Sequence, residues 1–142
     1  MPTKKLLVAF DGSPSSYKAF DFALDLSTAC QGTTHEIFLV AVVQPPEPAD
    51  IVEMDAVIEA GTEHYEKLFG ELREKAKSSS VTLTTEILIG HPADQIVHFA
   101  AEKECDMVLM GQRGKSRVEQ WLLGSVSKRV ASYSHCSVVI VK

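Results

Sequence analysis

The chain has 142 residues, of which 45% are hydrophobic and 23% are charged, and its formal net charge is -5. These proportions are ordinary for a globular domain that buries a core. The acidic balance argues against a nucleic-acid-binding protein, which usually presents a basic face. No apolar run is long enough to span a bilayer, and the first apolar stretch ends at Asp11, too early for a signal peptide. We therefore expect one cytoplasmic domain over residues 1–142.

The first third of the chain predicts two buried strands separated by a helix. Leu6–Phe10 is continuously apolar and ends in a turn sequence. A helix follows, with Ser15 or Ser16 as its cap and Gly32 at its end, because apolar residues recur at helical spacing. Ile37–Val43 is a second apolar run, and the prolines after Gln44 end it.

The rest of the chain continues the same alternation. Charged residues on one face and apolar residues on the other predict a long helix from about Asp55 to Lys77. The following patterns predict three strands and two helices in alternation: Thr82–Ile89, helix Ala93–Lys103, Met107–Met110, helix Val126–Tyr133 and Val138–Val141. Continuously apolar strands that alternate with helices are typical of an α/β fold, a doubly wound parallel five-stranded sheet with helices on both faces.

Three glycines follow the fourth predicted strand at fixed spacing. Gly111 and Gly114 lie at its exit, and Gly124 with Ser125 lies at the entrance of the next helix. Glycine allows close approach of another atom, and a helix N-terminus offers free N–H groups to an anion. Ser125 adds a hydroxyl at the expected N-cap position. The pattern predicts a phosphate site, but it is not a P-loop, which would need a glycine where Leu109 stands, nor a Rossmann G-x-G-x-x-G sequence.

The spacing G-x-x-G, nine residues, then G-[ST] resembles the ATP-binding signature of the universal stress proteins. The resemblance extends over nearly the whole chain, because Asp11 also follows the first strand and an apolar strand ends the sequence. It implies the strand order 3-2-1-4-5, the Rossmann-like half of a doubly wound sheet. In that order Asp11 and Gly111 meet at the switch point, where such sheets bind ligands.

The resemblance also implies roles for the residues at the ends of the strands. Ala9 and Val42 correspond to contacts with an adenine ring, and Met110 is expected to border the base. Asp11 is expected to accept hydrogen bonds from ribose or to hold a metal ion bound to phosphates. The residue types alone leave a second reading of Asp11 open, as a turn residue or a helix cap.

The phosphate end falls on the glycine-rich stretch. The family pattern implies phosphate contacts from Gly111, Gly114, Gly124 and Ser125. The N–H groups of Val126 and Ser127 and the Ser127 hydroxyl are expected to reach the terminal phosphates. Arg113 and Lys115 are candidate cations for neutralising phosphate charge.

The cysteines and histidines show no ligand spacing. We expect three buried free thiols, because the cysteines are odd in number and far apart: Cys30, Cys105 and Cys136. The histidines are dispersed and are expected at the surface or at helix caps: His35, His64, His91, His98 and His135. No catalytic residue is assigned.

The leading hypothesis is a nucleotide-dependent regulatory protein that binds ATP, with or without Mg²⁺ or Mn²⁺. The resemblance implies a homodimer through Val138–Val141, the apolar edge strand. The alternative is a slow ATPase or a nucleotidyl- or phosphoryl-transferring enzyme on the same fold. A partner-binding module with a vestigial pocket is a third reading. The sequence leaves open whether AMP or a cyclic nucleotide replaces ATP.

Overall fold

Strands and helices alternate in the computed structural model, which describes residues 3–112 and 123–142. The elements run in this order: β1 Thr3–Ala9, α1 Pro14–Ala29, β2 Thr34–Val43, α2 Ile51–Ala76, β3 Thr82–Ile89, α3 Pro92–Glu102, β4 Met107–Gly111, α4 Ser125–Tyr133 and β5 Ser137–Val141. Among the described residues, no helix is both long and apolar enough to cross a lipid bilayer.

The strands form one parallel sheet in the order β3-β2-β1-β4-β5. β1 is the central strand: Leu6 pairs with Ile37 of β2 on one side and with Met107 of β4 on the other. This arrangement confirms the α/β fold and the predicted order 3-2-1-4-5. The direction of the strand order reverses between β1 and β4, which fixes the switch point of the sheet.

Each face of the sheet has its own hydrophobic core. Side chains alternate along β1, so Leu6 and Val8 pack on one face and Leu7 and Ala9 on the other. The first core includes α1 and α2, and the second includes α3 and α4. Because both faces of β1, β2 and β4 are covered, the buried parts of these strands, such as Leu6–Ala9 and Ile37–Val43, are continuously apolar.

The starts of α1 and α2 differ from those expected. Ser13, not Ser15 or Ser16, caps α1: its hydroxyl accepts the Ser16 N–H at 3.3 Å, and Pro14 occupies the first helical turn. α2 begins at Ile51, before the expected start near Asp55, because the Asp50 carboxylate accepts the Glu53 N–H at 2.8 Å.

The burial of two side chains also differs from expectation. Cys30 is exposed, although Cys105 is buried and Cys136 is half-buried as free thiols. Burial raises the pKa of the Cys105 thiol to about 11. His35 is buried, not at the surface, because β2 begins at Thr34 and so includes it in the sheet.

Candidate functional site

A cleft of about 320 Å³ opens at the carboxyl ends of β1, β2 and β4. It lies at the switch point of the sheet, where the connections from β1 and β4 leave in opposite directions. The starts of α1, α3 and α4 contribute to its walls through Ser13, Pro92 and Ser125. The topology thus brings together residues from distant parts of the chain.

The cleft collects every predicted site residue that the structure describes. They come from the ends of three strands and from the start of α4: Ala9, Asp11, Val42, Met110, Gly111, Gly124, Ser125, Val126 and Ser127. The remaining two, Arg113 and Gly114, lie outside the described residues, as does Lys115.

One side of the cleft is an apolar slot. Ala9, Val42 and Met110, which were expected to contact the base, contribute to it, and Val40 and Ile96 also line it. Sequence analysis missed Val40 and Ile96, although Val40 shares a strand face with Val42 by the two-residue period of a strand. Aliphatic side chains suit an aromatic ring, since the ring surface that they cover loses contact with water.

Asp11 lies between the end of β1 and the start of α1. One oxygen of its carboxylate accepts the Ser13 N–H at 2.9 Å, and Gly12 completes the turn with φ +82°. The aspartate therefore holds the turn, which was the second reading of its residue type. It also lines the cleft, so the turn presents its carboxylate at the ligand-facing edge.

An aromatic cluster supports the Asp11 side of the cleft. The Phe10 ring lies edge-on to Tyr17 at 5.0 Å and to Tyr65 at 6.4 Å between centroids. Tyr65 reaches the cleft from α2, a contribution that sequence analysis did not anticipate because it assigned this side chain only to the helix core. Burial, and secondarily the Asp11 carboxylate, raise the pKa of the Tyr65 phenol.

The start of α4 faces the cleft without a capping side chain. Gly124 is the N-cap, with φ -65° and ψ 160°, so Ser125 is the first helical residue and not the cap. The regular backbone hydrogen bonds of α4 begin with Lys128 N–H, which donates to Gly124 O at 3.0 Å. The N–H groups of the three preceding helical residues precede the regular ladder, and these residues line the cleft. This arrangement suits an anion, because the helix dipole adds partial positive charge.

Hydrogen bonds fix the start of α4 to the end of β4. Ser127 is 3% exposed, and its hydroxyl donates to the Gly111 carbonyl at 2.9 Å. Gly124 N–H donates to Gln112 O at 2.9 Å, and Gln112 N–H donates to Val141 O at 2.8 Å. The proton of the Ser127 hydroxyl is thus used within the protein, whereas the sequence assigned that hydroxyl to phosphate.

Gly111 is a glycine for a reason of packing. A Cβ at this position would lie 2.7 Å from the Ser15 Cβ and 3.0 Å from the Ser15 carbonyl carbon. α1 therefore approaches β4 so closely that a side chain has no room. This contact sets the distance between the two elements that border the cleft.

The described lining of the cleft carries little charge. It includes the Asp11 carboxylate and no Lys, Arg or His side chain. Within residues 3–112 and 123–142 there is also no group of three His, Cys, Asp or Glu side chains suited to hold a metal ion. Any anion bound at the start of α4 would therefore be held, on this part of the chain, by backbone N–H groups and hydroxyls.

The sequence and the fold have similar counterparts among known proteins. The model of the universal stress protein family matches residues 2–142. Universal stress protein MJ0531 of Methanocaldococcus jannaschii is 34% identical over 143 residues, covering 98% of this chain and 82% of the relative. The chain therefore belongs to the universal stress protein family.

Solved structures share the architecture. Universal stress protein UspA from Lactobacillus plantarum superposes with a TM-score of 0.87 at 21% identity, over 100% of this chain and 99% of that chain. A universal stress protein in complex with cAMP superposes with a TM-score of 0.72 at 27% identity, over 98% and 97% of the two chains. The first of these likenesses concerns the fold alone.

Proposed function

We propose that this protein binds an adenine nucleotide, ATP in the first instance, and acts as a nucleotide-dependent regulatory module. The observation that carries the proposal is one cleft whose lining combines the apolar slot with the uncapped start of α4. A base suits the slot, and phosphates suit the helix N-terminus. The relative that holds cAMP supports an adenine nucleotide.

Asp11 supports the sugar position in this proposal. Its turn holds the carboxylate in the lining of the same cleft as the apolar slot and the start of α4. A carboxylate there can accept hydrogen bonds from ribose hydroxyls, which gives a reason for preferring a ribonucleotide. Whether Asp11 instead shares a Mg²⁺ or Mn²⁺ ion with the phosphates depends on the bound nucleotide.

The composition of the cleft favours a switch over an enzyme. Fast phosphoryl transfer uses positioned acids, metals or cations around the transferred group. The described lining offers none of these near α4 except backbone dipoles. His135 follows α4, whose nine residues place it about 13 Å from the helix start. The ATPase alternative would therefore require groups outside the described residues, such as Glu119.

The phosphate end can be tested by removing a single N–H group. Ser125 is the first helical residue, a position that accepts proline, and Gly124 already has the extended backbone that precedes a proline. Ser125→Pro deletes one N–H donor, and Ser125→Ala keeps it while removing the hydroxyl. We expect Ser125→Pro to weaken ATP by about tenfold or more, as for a hydrogen bond to a charged group.

Calorimetry with ATP and adenosine separates the two ends of the site. Adenosine lacks phosphates, so Ser125→Pro should leave its affinity unchanged, and Ser125→Ala should retain ATP binding more closely than Ser125→Pro. Mass analysis of the purified protein identifies any retained nucleotide. Equal loss of ATP and adenosine in a folded Ser125→Pro variant would remove the assignment of phosphate to α4.

A further inference from the structure

Helix α2 is longer than the sheet on which it packs. Its 26 residues span about 39 Å, whereas the eight residues of β3 span about 26 Å. The helix connects parallel strands, so its N-terminus lies toward their carboxyl ends. Residues 51–56 are all exposed, and the first buried residue is Tyr65. The first turns of α2 therefore project beyond the supported part of the helix.

The projecting turns carry the same apolar stripe as the buried turns. Positions 51, 54, 58, 61, 65, 68 and 72 repeat at steps of three and four, which places them on one side of a helix. The later positions, including Tyr65 and Leu72, pack into the core. The earlier ones do not: Ile51 is 76% exposed and Met54 is 37% exposed, and the neighbouring Val52 is 77% exposed. The exposed apolar residues Ile51, Val52 and Met54, together with the half-buried Ile58, are called here the α2 overhang.

A shallow groove lies beside the turns of α2 that follow the overhang, and it adjoins the cleft. It measures about 410 Å³ and includes Val57, Ala60, Gly61 and His64 from α2. It shares Val42, Gln44 and Tyr65 with the cleft. Apolar surface of this kind, exposed on a helix and extended by a groove, suits the apolar face of a second helix.

The charge around the α2 overhang is of one sign. Residues 47–63 contain six of the 19 acidic residues of the chain and none of its 14 lysines and arginines. All six are exposed, and none forms an ion pair with a cation of the described residues: Glu47, Asp50, Glu53, Asp55, Glu59 and Glu63. The rest of the chain carries 13 acidic and 14 basic side chains, so the negative charge of the molecule is concentrated here.

These features select among the possible occupants. A second copy that placed the same surface against itself would bring six carboxylates against six, and an anionic membrane or a nucleic acid would also be repelled. A segment with apolar residues on one side and Lys or Arg around it satisfies both the stripe and the charge. We propose that the α2 overhang and its groove form a docking site for a basic amphipathic helix of a partner protein.

A synthetic helix provides the probe. The peptide repeats Leu-Lys-Lys-Leu-Leu-Lys-Leu and carries a fluorescent label; its control has Glu in place of every Lys. Fluorescence anisotropy on the full chain at physiological salt should show binding of the Lys peptide and not of the Glu peptide. Ile51→Ser with Met54→Ser should weaken the Lys peptide by about tenfold or more, because two apolar contacts are lost.

Matched variants distinguish binding at this site from nonspecific binding of the peptide. Phe22→Ser removes an apolar side chain that is 45% exposed on α1, and it should leave peptide binding unchanged. Asp55→Asn with Glu59→Gln should weaken binding, whereas Asp25→Asn with Glu71→Gln removes the same charge elsewhere and should weaken it less. Circular dichroism checks that each variant is folded.

Four results would overturn the proposal. The first is that the Lys peptide does not bind at about 100 µM. The second is that the Ile51 and Met54 double variant binds the peptide as tightly as the unchanged protein. The third is that phosphatidylserine vesicles bind at the overhang. The fourth is loss of self-association in that double variant, measured by sedimentation, which would make a second copy the occupant. The test does not involve nucleotide, so it is independent of the function proposed above.

Discussion

The contact between Gly111 and Ser15 determines how closely α1 lies to the end of β4. Ser15 belongs to the first turn of α1, and Gly111 is the last residue of β4. Both elements border the cleft, so any displacement there changes the width of the site. The family pattern connects this glycine with phosphate, whereas its packing alone already requires the absence of a side chain.

Replacing Gly111 tests this packing directly. Gly111→Ala should destabilise the protein by roughly 1–3 kcal/mol, the usual cost of overpacking a tight contact. Gly70→Ala is the matched control, since a Cβ there meets nothing within 4 Å, and it should stabilise α2 by about 0.5–1 kcal/mol. Urea unfolding measures both. Adding Ser15→Gly to Gly111→Ala should restore part of the loss, and a neutral Gly111→Ala would show that the contact is easily relieved.

Asp11 has one observed role, in the turn, and one proposed role, toward the ligand. Asp11→Ala should weaken ATP by about 1.5–3 kcal/mol, the scale of a hydrogen bond to a charged group. It should also reduce the preference for ATP over 2′-deoxy-ATP. Asp11→Asn keeps an oxygen that can accept the Ser13 N–H, so its stability provides the control for the turn. Unchanged discrimination between the two nucleotides in a folded Asp11→Ala variant would assign Asp11 to the turn alone.

Cys105 makes stability sensitive to alkaline pH. Burial raises the pKa of its thiol from 9.0 to about 11, so the folded state keeps a proton that the unfolded state releases. The unfolded state then binds fewer protons between about pH 9 and 11, and the free energy of unfolding falls as pH rises through that window. In Cys105→Ala, we expect the fall in the free energy of unfolding across this window to be smaller by roughly 2 kcal/mol. Unfolding of the two proteins at pH 8 and pH 10.5 measures it, and parallel pH profiles would contradict the expectation.

The two parts of α2 should differ in local stability. Its second half is held by Tyr65, Phe69, Leu72 and Ala76 in the core, whereas the α2 overhang has no comparable support among the described residues. Native-state hydrogen exchange should therefore be fast for amides 54–60 and much slower for amides 68–76. The experiment can be done on the protein with nucleotide and on the protein without it. Uniform protection along α2 would indicate that the overhang is covered in solution.

The strands that are buried on both faces were the elements that the sequence predicted best. Leu6–Phe10 and Ile37–Val43 were assigned to strands because a strand buried on both faces has no polar positions. The start of α2 was missed because Ile51, Val52 and Met54 are exposed, so their apolar character did not mark a boundary. The capping side chain of Asp50 was the available signal.

The candidate site was predictable in its location more than in its contacts. Strand order brings Asp11 and Gly124 to one cleft, and that order followed from the family resemblance. The bond from Ser127 to Gly111 O and the position of Ser125 inside α4 depend on backbone angles near Gly124 that residue types do not determine. Tyr65 was not anticipated because its helical spacing marks it as a core residue. Spacing does not show that the same side chain also lines the cleft.

At the scale of the whole molecule, two strands form the edges of the sheet, and neither has a second neighbouring strand among residues 3–112 and 123–142. β5 is one edge and β3 the other. The side chains of Val138–Val141 are only partly buried, and an apolar edge favours association. The homodimer through β5 remains a proposal, which predicts a solution mass of twice the 15.5 kDa chain.

A charge on each edge distinguishes the two surfaces. Val139→Lys on β5 should give a folded monomer in light scattering, because a lysine disfavours edge-to-edge pairing. Ile89→Lys at the end of β3 is the matched control, since this residue is already 47% exposed, and it should remain dimeric. Dissociation by Ile89→Lys alone would transfer the interface to the opposite edge.

The central place of β1 has a consequence for the biosynthesis of the molecule. β1 can pair with β2 soon after both strands have been made. Its pairing with β4, on its other side, requires about 100 more residues of chain. The ribosome therefore delivers the first three strands and their helices well before α4. Because α4 supplies the anion-facing end of the cleft, a nascent chain has half a site until that helix emerges. Ligand capture by a growing chain would thus show that β4 and α4 have joined the first three strands, before β5 completes the sheet.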